Sequence, residues 1–256
     1  MKWDEVAHTP ILNPDYVALK PLEDGIVEMA MCDSAGKNGM SPAFASAFLA
    51  AVDTLSQDQN CSVVLLTGLP EYFSTGATKE ALQDIAAGKL APTELILGRR
   101  LMGLPMPVIA VAEGHAIGGG FALLLSCDLT VIAEESRYGA NFMAMGFTPG
   151  MGTTTLLEYT FGPAIAHEML YTADLWRGKR YAKTSGINAV LPRHEVRQHA
   201  LVLARAISEK SRANLCRLKR VLSLPKRQAY EAAITQESLM HEISFNNLDI
   251  SQWGTP

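Results

Sequence analysis

The stretch "EGHAIGGGFALLLSCD", residues 113–128, sets three consecutive glycines, Gly118 to Gly120, against a run of good helix formers. Each glycine in a helix interior costs roughly 1 kcal/mol relative to alanine. A chain that places three where a buried helix begins needs them for geometry. Glycine permits positive φ and close backbone approach, and the first residues of a helix carry N–H groups without an intrahelical partner. Together these form a corner that stabilises an anion. The plainer alternative is tight packing of a helix on a sheet. The spacing does not match the dinucleotide pattern G-x-G-x-x-G.

A second stretch narrows the choice. "CSVVLLTGL" reads as a buried strand, and "YFSTGATKE", residues 72–80, follows it with a small, glycine-containing turn into a helix. "PVIAVAEG" and "DLTVIAEE" read as strands on either side of the glycine-opened helix. Strand, helix, strand implies parallel neighbours. Two such turns on adjacent strands can aim two backbone N–H groups at one oxygen, an oxyanion hole worth about 3–4 kcal/mol per donor.

The remaining chain frames this core. "VALKPLEDGIVEMAMCD" reads as two strands around the turn "EDG". "SPAFASAFLAAVDTLSQD" reads as a helix capped by Ser41 with Pro42 at its first position, and "TELILGRRLMGL" as another helix. From about residue 163 the pattern is mainly helical, with a seam at "VLPRHE". The 256 residues suit one large domain, or one domain with a modest appendage.

A net charge of −4 implies no global attraction to nucleic acid or anionic membrane. Apolar runs fall well short of the ~18 residues of a membrane span. The N-terminus carries no apolar signal-peptide core, and Cys32, Cys61, Cys127 and Cys216 are widely spaced, so a reducing cytoplasm is expected. The six histidines are scattered, and no metal site is expected.

"EYFSTGATKEAL", "AVAEGHAIGGGFALLLSCDLTVIAEESRYGANFMAMGFTPGMGTT" and "ANLCRLKRVL" resemble the crotonase (enoyl-CoA hydratase/isomerase) superfamily, in family order and across nearly the whole chain. The resemblance implies an α/β fold: a spiral of ββα units over residues 1–192, with a helical trimerisation region over 193–256. It implies oxyanion donors at the N–H groups of Ala77 and Gly119, facing the enolate of a thioester. It also exposes departures. The two catalytic glutamates of the hydratases correspond to Ala122 and Phe142, neither of which can move a proton.

An oxyanion hole without those acids suits decarboxylation, where loss of CO₂ leaves an electron pair that delocalises into the thioester carbonyl. "NFMAMGFTPGMGTT" and "SLMHEISFN" are similar to the decarboxylating members of polyketide β-branching cassettes. Those convert a carrier-protein-bound 3-methylglutaconyl-type thioester to a 3-methylcrotonyl-type product. The resemblance implies no cofactor beyond the phosphopantetheine, or CoA, that carries the substrate. It implies an acyl carrier protein as partner and a homotrimer as assembly.

By that resemblance His241 binds the departing carboxylate or protonates the dienolate. A lysine holds the substrate carboxylate, with Lys89 preferred over Lys79. Tyr72 and Tyr138 are candidates to contact the acyl group, against the commoner role of packing residues with a polar tip, and His115 either lines the pocket or is structural. Asn141 and Phe142 form a neutral wall, and Phe147, Thr148 and Met151 shape the pocket. Arg205 to Arg227 forms a local basic patch, either a solvated helix face or a docking surface for the carrier. The alternatives are an enoyl-thioester isomerase or hydratase with a non-standard base, and a non-catalytic scaffold of the same fold.

Overall fold

The computed structural model describes residues 12–91, 95 and 97–246. Its backbone alternates between two parallel layers. A six-stranded sheet has the order β1 (Val17–Pro21), β2 (Ile26–Met31), β4 (Val63–Thr67), β7 (Val108–Ala112), β9 (Leu129–Ala133) and β12 (Ala189–Leu191). Only the β1–β2 hairpin is antiparallel. A smaller sheet has the order β11 (Trp176–Arg177), β10 (Arg137–Gly139), β8 (His115–Ile117) and β5 (Tyr72–Ser74). A two-residue pair joins β3 (Gly39–Met40) to β6 (Gly76–Ala77).

Each long strand β4, β7 and β9 is followed by a short strand, β5, β8 and β10, and then by a helical segment. After β5 and β6 comes α2 (Lys79–Ala86) with α3 (Leu97–Met102); after β8 comes α4 (Gly119–Leu125). After β10 come a 3-10 turn over Met143–Met145, α5 (Thr153–Phe161) and α6 (Pro163–Thr172). This is the expected spiral of ββα units. The first helix, α1 (Pro42–Gln57), has the expected cap: Phe44 N–H donates to Ser41 Oγ at 3.1 Å. Of the helix read over "TELILGRRLMGL", residues 93, 94 and 96 lie outside the described residues.

Alternation along the six-stranded sheet divides the core in two. Val64, Leu66, Val108, Ala110, Ala112 and Ile132 face the main cluster with α1 and α4. Val63, Leu65, Ile109, Val111, Val131 and Ala133 face the other way. The short helix α7 (Gly178–Tyr181) precedes β12. Beyond it, α8 (Arg193–Ser208) covers that second face with Val196, Ala200 and Ala204, a four-residue repeat that lines one side of a helix.

The helical region expected from residue 193 holds two long helices among the described residues. Its first helix seals the sheet of the spiral core, and Arg197 ties it there through Glu28 on β2 (2.6 and 3.1 Å). The second, α9 (Arg212–Asn246), runs 35 residues and continues through Pro225. The sequence breaks in texture at that proline, yet the helix does not, because packed neighbours hold it on both sides.

Candidate active site

The pairing of β5 with β8 brings the two glycine turns together. Tyr72 lies opposite His115 and Ser74 opposite Ala116, so the residues that follow each strand are neighbours in space. A Cβ added to Gly76 would sit 2.8 Å from Ile117 O and 2.9 Å from Gly119 N. The backbones of the two turns thus touch beside Ala77 and Gly119. Gly118 enters α4 with φ +54°, a conformation that L side chains rarely adopt. Gly120 has a different reason: a Cβ there would lie 2.2 Å from Ser74 O. The glycine run therefore lets a helix start directly against β5.

A cleft opens at this junction, with about 600 Å³ of empty space including its mouth. Ala77, Gly118 and Gly119 form one side, Leu82 and Ile85 of α2 with Leu95 a second, and Phe142, Met145 and Phe147 a third. Met151 closes the floor, 2.4 Å from where a Gly119 Cβ would sit and therefore in contact with that glycine. Polar side chains on the lining are few: Thr75, Asn141 and His241. None of the lining residues among the described residues is acidic. Ala122 is buried inside α4, and Phe142 stands in T-shaped contact with Phe147 at 5.9 Å.

His241 projects from α9 into this cleft. Its Nε2–H donates to Thr148 O at 2.9 Å, and its ring meets Phe245 at 5.3 Å and Phe147 at 6.2 Å. Gly150 presses on the imidazole, since a Cβ there would lie 2.3 Å from His241 Cε1. Burial pushes the His241 pKa below its ordinary 6.5, and the carbonyls of Thr148 and Pro149 only partly counter this. The imidazole is therefore neutral near pH 7.

One turn earlier on α9, buried Glu237 accepts from Gly152 N–H (2.6 Å), Thr154 N–H (3.0 Å) and Thr154 Oγ1–H (2.7 Å) at the start of α5. A carboxylate suits a helix N-terminus, where N–H groups are unpaired. Burial nevertheless raises the Glu237 pKa, outweighing those hydrogen bonds. Glu237, His241 and Phe245 are spaced by four on one helix face. That spacing is the signal by which Glu237 and Phe245, absent from the sequence-derived site, are recognisable.

Of the residues singled out from sequence, Ala77, Gly119, Asn141, Phe142, Phe147, Met151 and His241 meet at the cleft. Thr148 stands behind it, holding His241 through its carbonyl and sharing a 3.1 Å hydroxyl contact with Ser244. Lys79 begins α2 after the Thr78 cap and does not line the cleft. Lys89 lies beyond the end of α2, after Gly88 at φ +67°, with its exposed amine 4.0 Å from Asp84.

Tyr72 and His115 correct the sequence expectation: neither lines the cleft. They meet edge to face at 5.6 Å on the small sheet, where His115 Nδ1 accepts from Arg137 N–H at 2.9 Å and Lys37 sits over the Tyr72 ring. Tyr138 is core, its hydroxyl donating to Ala112 O at 2.8 Å. Strand alternation explains the displacement, since these side chains project from short strands that precede the turns rather than from the turns themselves.

A ββα spiral whose successive turns converge on an apolar cleft defines a crotonase-type enzyme. The chain belongs to the enoyl-CoA hydratase/isomerase family, whose model matches residues 22–254. Among its relatives, the bacillaene synthase decarboxylase PksI of Bacillus subtilis is 37% identical over 93% of this chain and 96% of its own length.

Two solved structures are similar along most of their length. One, from work on a dehydratase/decarboxylase enzyme couple involved in polyketide β-branching, superposes with a TM-score of 0.90 at 35% identity. It covers 94% of this chain and 100% of the other. The other is the ECH2 decarboxylase domain of CurF from Lyngbya majuscula, with a TM-score of 0.84 at 35% identity, covering 92% and 96%. No helix among the described residues is long and apolar enough to cross a membrane.

Proposed function

We propose that the protein is a decarboxylase that converts a carrier-protein-bound 3-methylglutaconyl-type thioester to a 3-methylcrotonyl-type thioester during polyketide β-branching. The observation that carries this reading is a cleft that joins the Ala77 and Gly119 turns to His241 while offering no lining carboxylate among the described residues. Similarity to decarboxylases of β-branching supports it.

In this reading the thioester oxygen lies between the N–H groups of Ala77 and Gly119. The bond from the terminal carboxylate to its neighbouring carbon breaks, and its electron pair runs through the conjugated chain to that oxygen. CO₂ leaves, and a proton returns to carbon. Two fixed N–H donors stabilise the charge as it develops, at no reorganisation cost. No base is needed, because the group that departs is already an anion. The apolar walls favour the dispersed dienolate over the localised carboxylate. Lys89, on the segment after α2, pairs with the carboxylate. With its Nε2–H held by Thr148 O, His241 acts through Nδ1: a proton taken up there from solvent hydrogen-bonds the departing carboxylate or passes to the dienolate carbon, which returns the imidazole to its neutral form.

The reading calls for no metal and no cofactor beyond the phosphopantetheine or CoA that carries the acyl group. It places the enzyme in the cytoplasm as a homotrimer, assembled through exposed apolar side chains of α9 such as Leu222, Leu239 and Ile243. Intact-mass analysis tests it. Incubated with the 3-methylglutaconyl carrier protein, the full chain removes the mass of one CO₂ from the acyl group. An unchanged mass, or incorporation of solvent oxygen instead, overturns the reading and favours hydration.

A further inference from the structure

Between Ser211 and Tyr230, α9 carries six basic residues and no acidic one. The structure sorts them into two groups. Arg212 donates to Cys61 O at 2.8 Å and Asp58 O at 2.9 Å. Lys219 is buried against Asp128, and Lys226 donates to Leu125 O and Cys127 O at 2.5 and 3.1 Å. These three fasten α9 to the body of the protein.

The other three, Arg217, Arg220 and Arg227, are exposed and line a second cleft between α9 and the Met102–Pro105 turn. None of the described residues lining it is acidic. Arg217 donates to the neutral Asn214 at 3.0 Å. Arg220 and Arg227 make no ion pair or hydrogen bond among the described residues. Glu231, one turn beyond Arg227, is already held by Arg99 through two bonds of 2.8 and 2.7 Å. Three guanidinium groups share one concave site in a chain of net charge −4, a concentration of positive charge that attracts an outside anion.

We propose that this cleft docks an acidic protein surface, which, resting on the function proposed above, is the carrier protein that delivers the substrate. Its position fits a folded partner better than a small anion. Arg220 and His241 lie 21 residues apart on α9, which at 1.5 Å per residue is about 30 Å. A small domain of up to about 100 residues, with a radius of gyration near 13 Å, is itself about 30 Å across. One edge of such a carrier rests on the arginines while its prosthetic arm enters the cleft at His241. Charge of this kind acts mainly on encounter and orientation, and salt screens it.

The test compares wild type with Arg220→Glu/Arg227→Glu and with the milder Arg220→Gln/Arg227→Gln. Both use exposed side chains without protein partners, outside the catalytic cleft. Against the carrier-bound thioester, the charge-reversed enzyme loses at least tenfold in kcat/KM, chiefly through KM. Against the same acyl group on free pantetheine it keeps wild-type rates.

Direct titration with holo carrier protein reads docking without turnover. Wild type binds more weakly as salt rises, and the charge-reversed protein binds at least tenfold more weakly at low salt. If docking is lost as expected but no substrate is decarboxylated by either protein, the functional reading fails and the docking site stands. Equal losses on both thioesters, or unchanged carrier binding, overturn the docking site. So does a change of oligomeric state by light scattering, which would make this face a contact between copies, or displacement of the carrier by inorganic phosphate beyond that caused by chloride at equal ionic strength, which would make it a simple anion site.

Discussion

His241 shows how a single side chain is tuned by what touches it. Burial holds its pKa below 6.5, so the folded state binds fewer protons than the unfolded chain just below that value. Its contribution to stability is full above pH 6.5 and is lost as the pH falls through the depressed value. His241→Gln should therefore flatten the decline in melting temperature between about pH 7 and pH 5, relative to wild type. In turnover the same variant should lose about 100-fold or more in kcat while KM moves by no more than about threefold. An equal acid decline, or a loss confined to KM, contradicts the assignment.

At this scale the sequence was informative wherever chemistry departs from pattern. A glycine run, Phe142 and one histidine in "SLMHEISFN" all lead to the cleft, while Ala122 lies buried behind it in α4. Glu237 escaped because a buried carboxylate that serves a distant helix N-terminus looks, in sequence, like any surface glutamate. Tyr72 and His115 were misplaced because their direction depends on short strands that carry no readable period.

At the scale of elements, α4 is held at both ends. Its N-terminus abuts β5 through Gly120, and its C-terminus is capped by Lys226, whose stem is partly exposed while its ammonium group is enclosed against Leu125 O and Cys127 O. Burial lowers the Lys226 pKa from 10.5 to about 8, although Asp128 opposes the shift. The folded state thus binds fewer protons between those values. The stability Lys226 contributes is fully present above pH 10.5 and declines as the pH falls through about 8.

Melting temperatures of wild type and Lys226→Met measured from about pH 7 to pH 10 should diverge in favour of wild type as the pH rises. A constant difference would show that the ammonium is solvated. The long strands, and helices such as α1 with its Ser41 cap, were readable because each spans enough residues to show a period or carries Ser, Pro or Gly at its end. The three-residue strands β5, β8 and β10 were not, yet they are what align the two turns.

For the whole molecule, the spiral explains why two segments some forty residues apart act together. Each ββα unit repeats the same strand-to-helix turn, and parallel pairing of β5 with β8 stacks one turn on the next. Helix α9 then returns across the spiral, anchored by Lys219, Lys226 and Glu237, and lays His241 over the junction. The division of labour between α8, which seals the sheet, and α9, which reaches the site, was not legible from helical periodicity, since both are amphipathic helices of similar composition.

The central claim is that peptide N–H groups from Ala77 and Gly119 hold the reacting thioester oxygen. A crystal structure of the full chain with an unreactive, non-decarboxylating analogue of the acyl-pantetheine substrate tests it most directly. The account predicts that the analogue's carbonyl oxygen lies about 2.7–3.1 Å from both nitrogens, with the carboxylate end toward His241. An oxygen bound elsewhere, or either amide already donating to a neighbouring carbonyl in the complex, would contradict it.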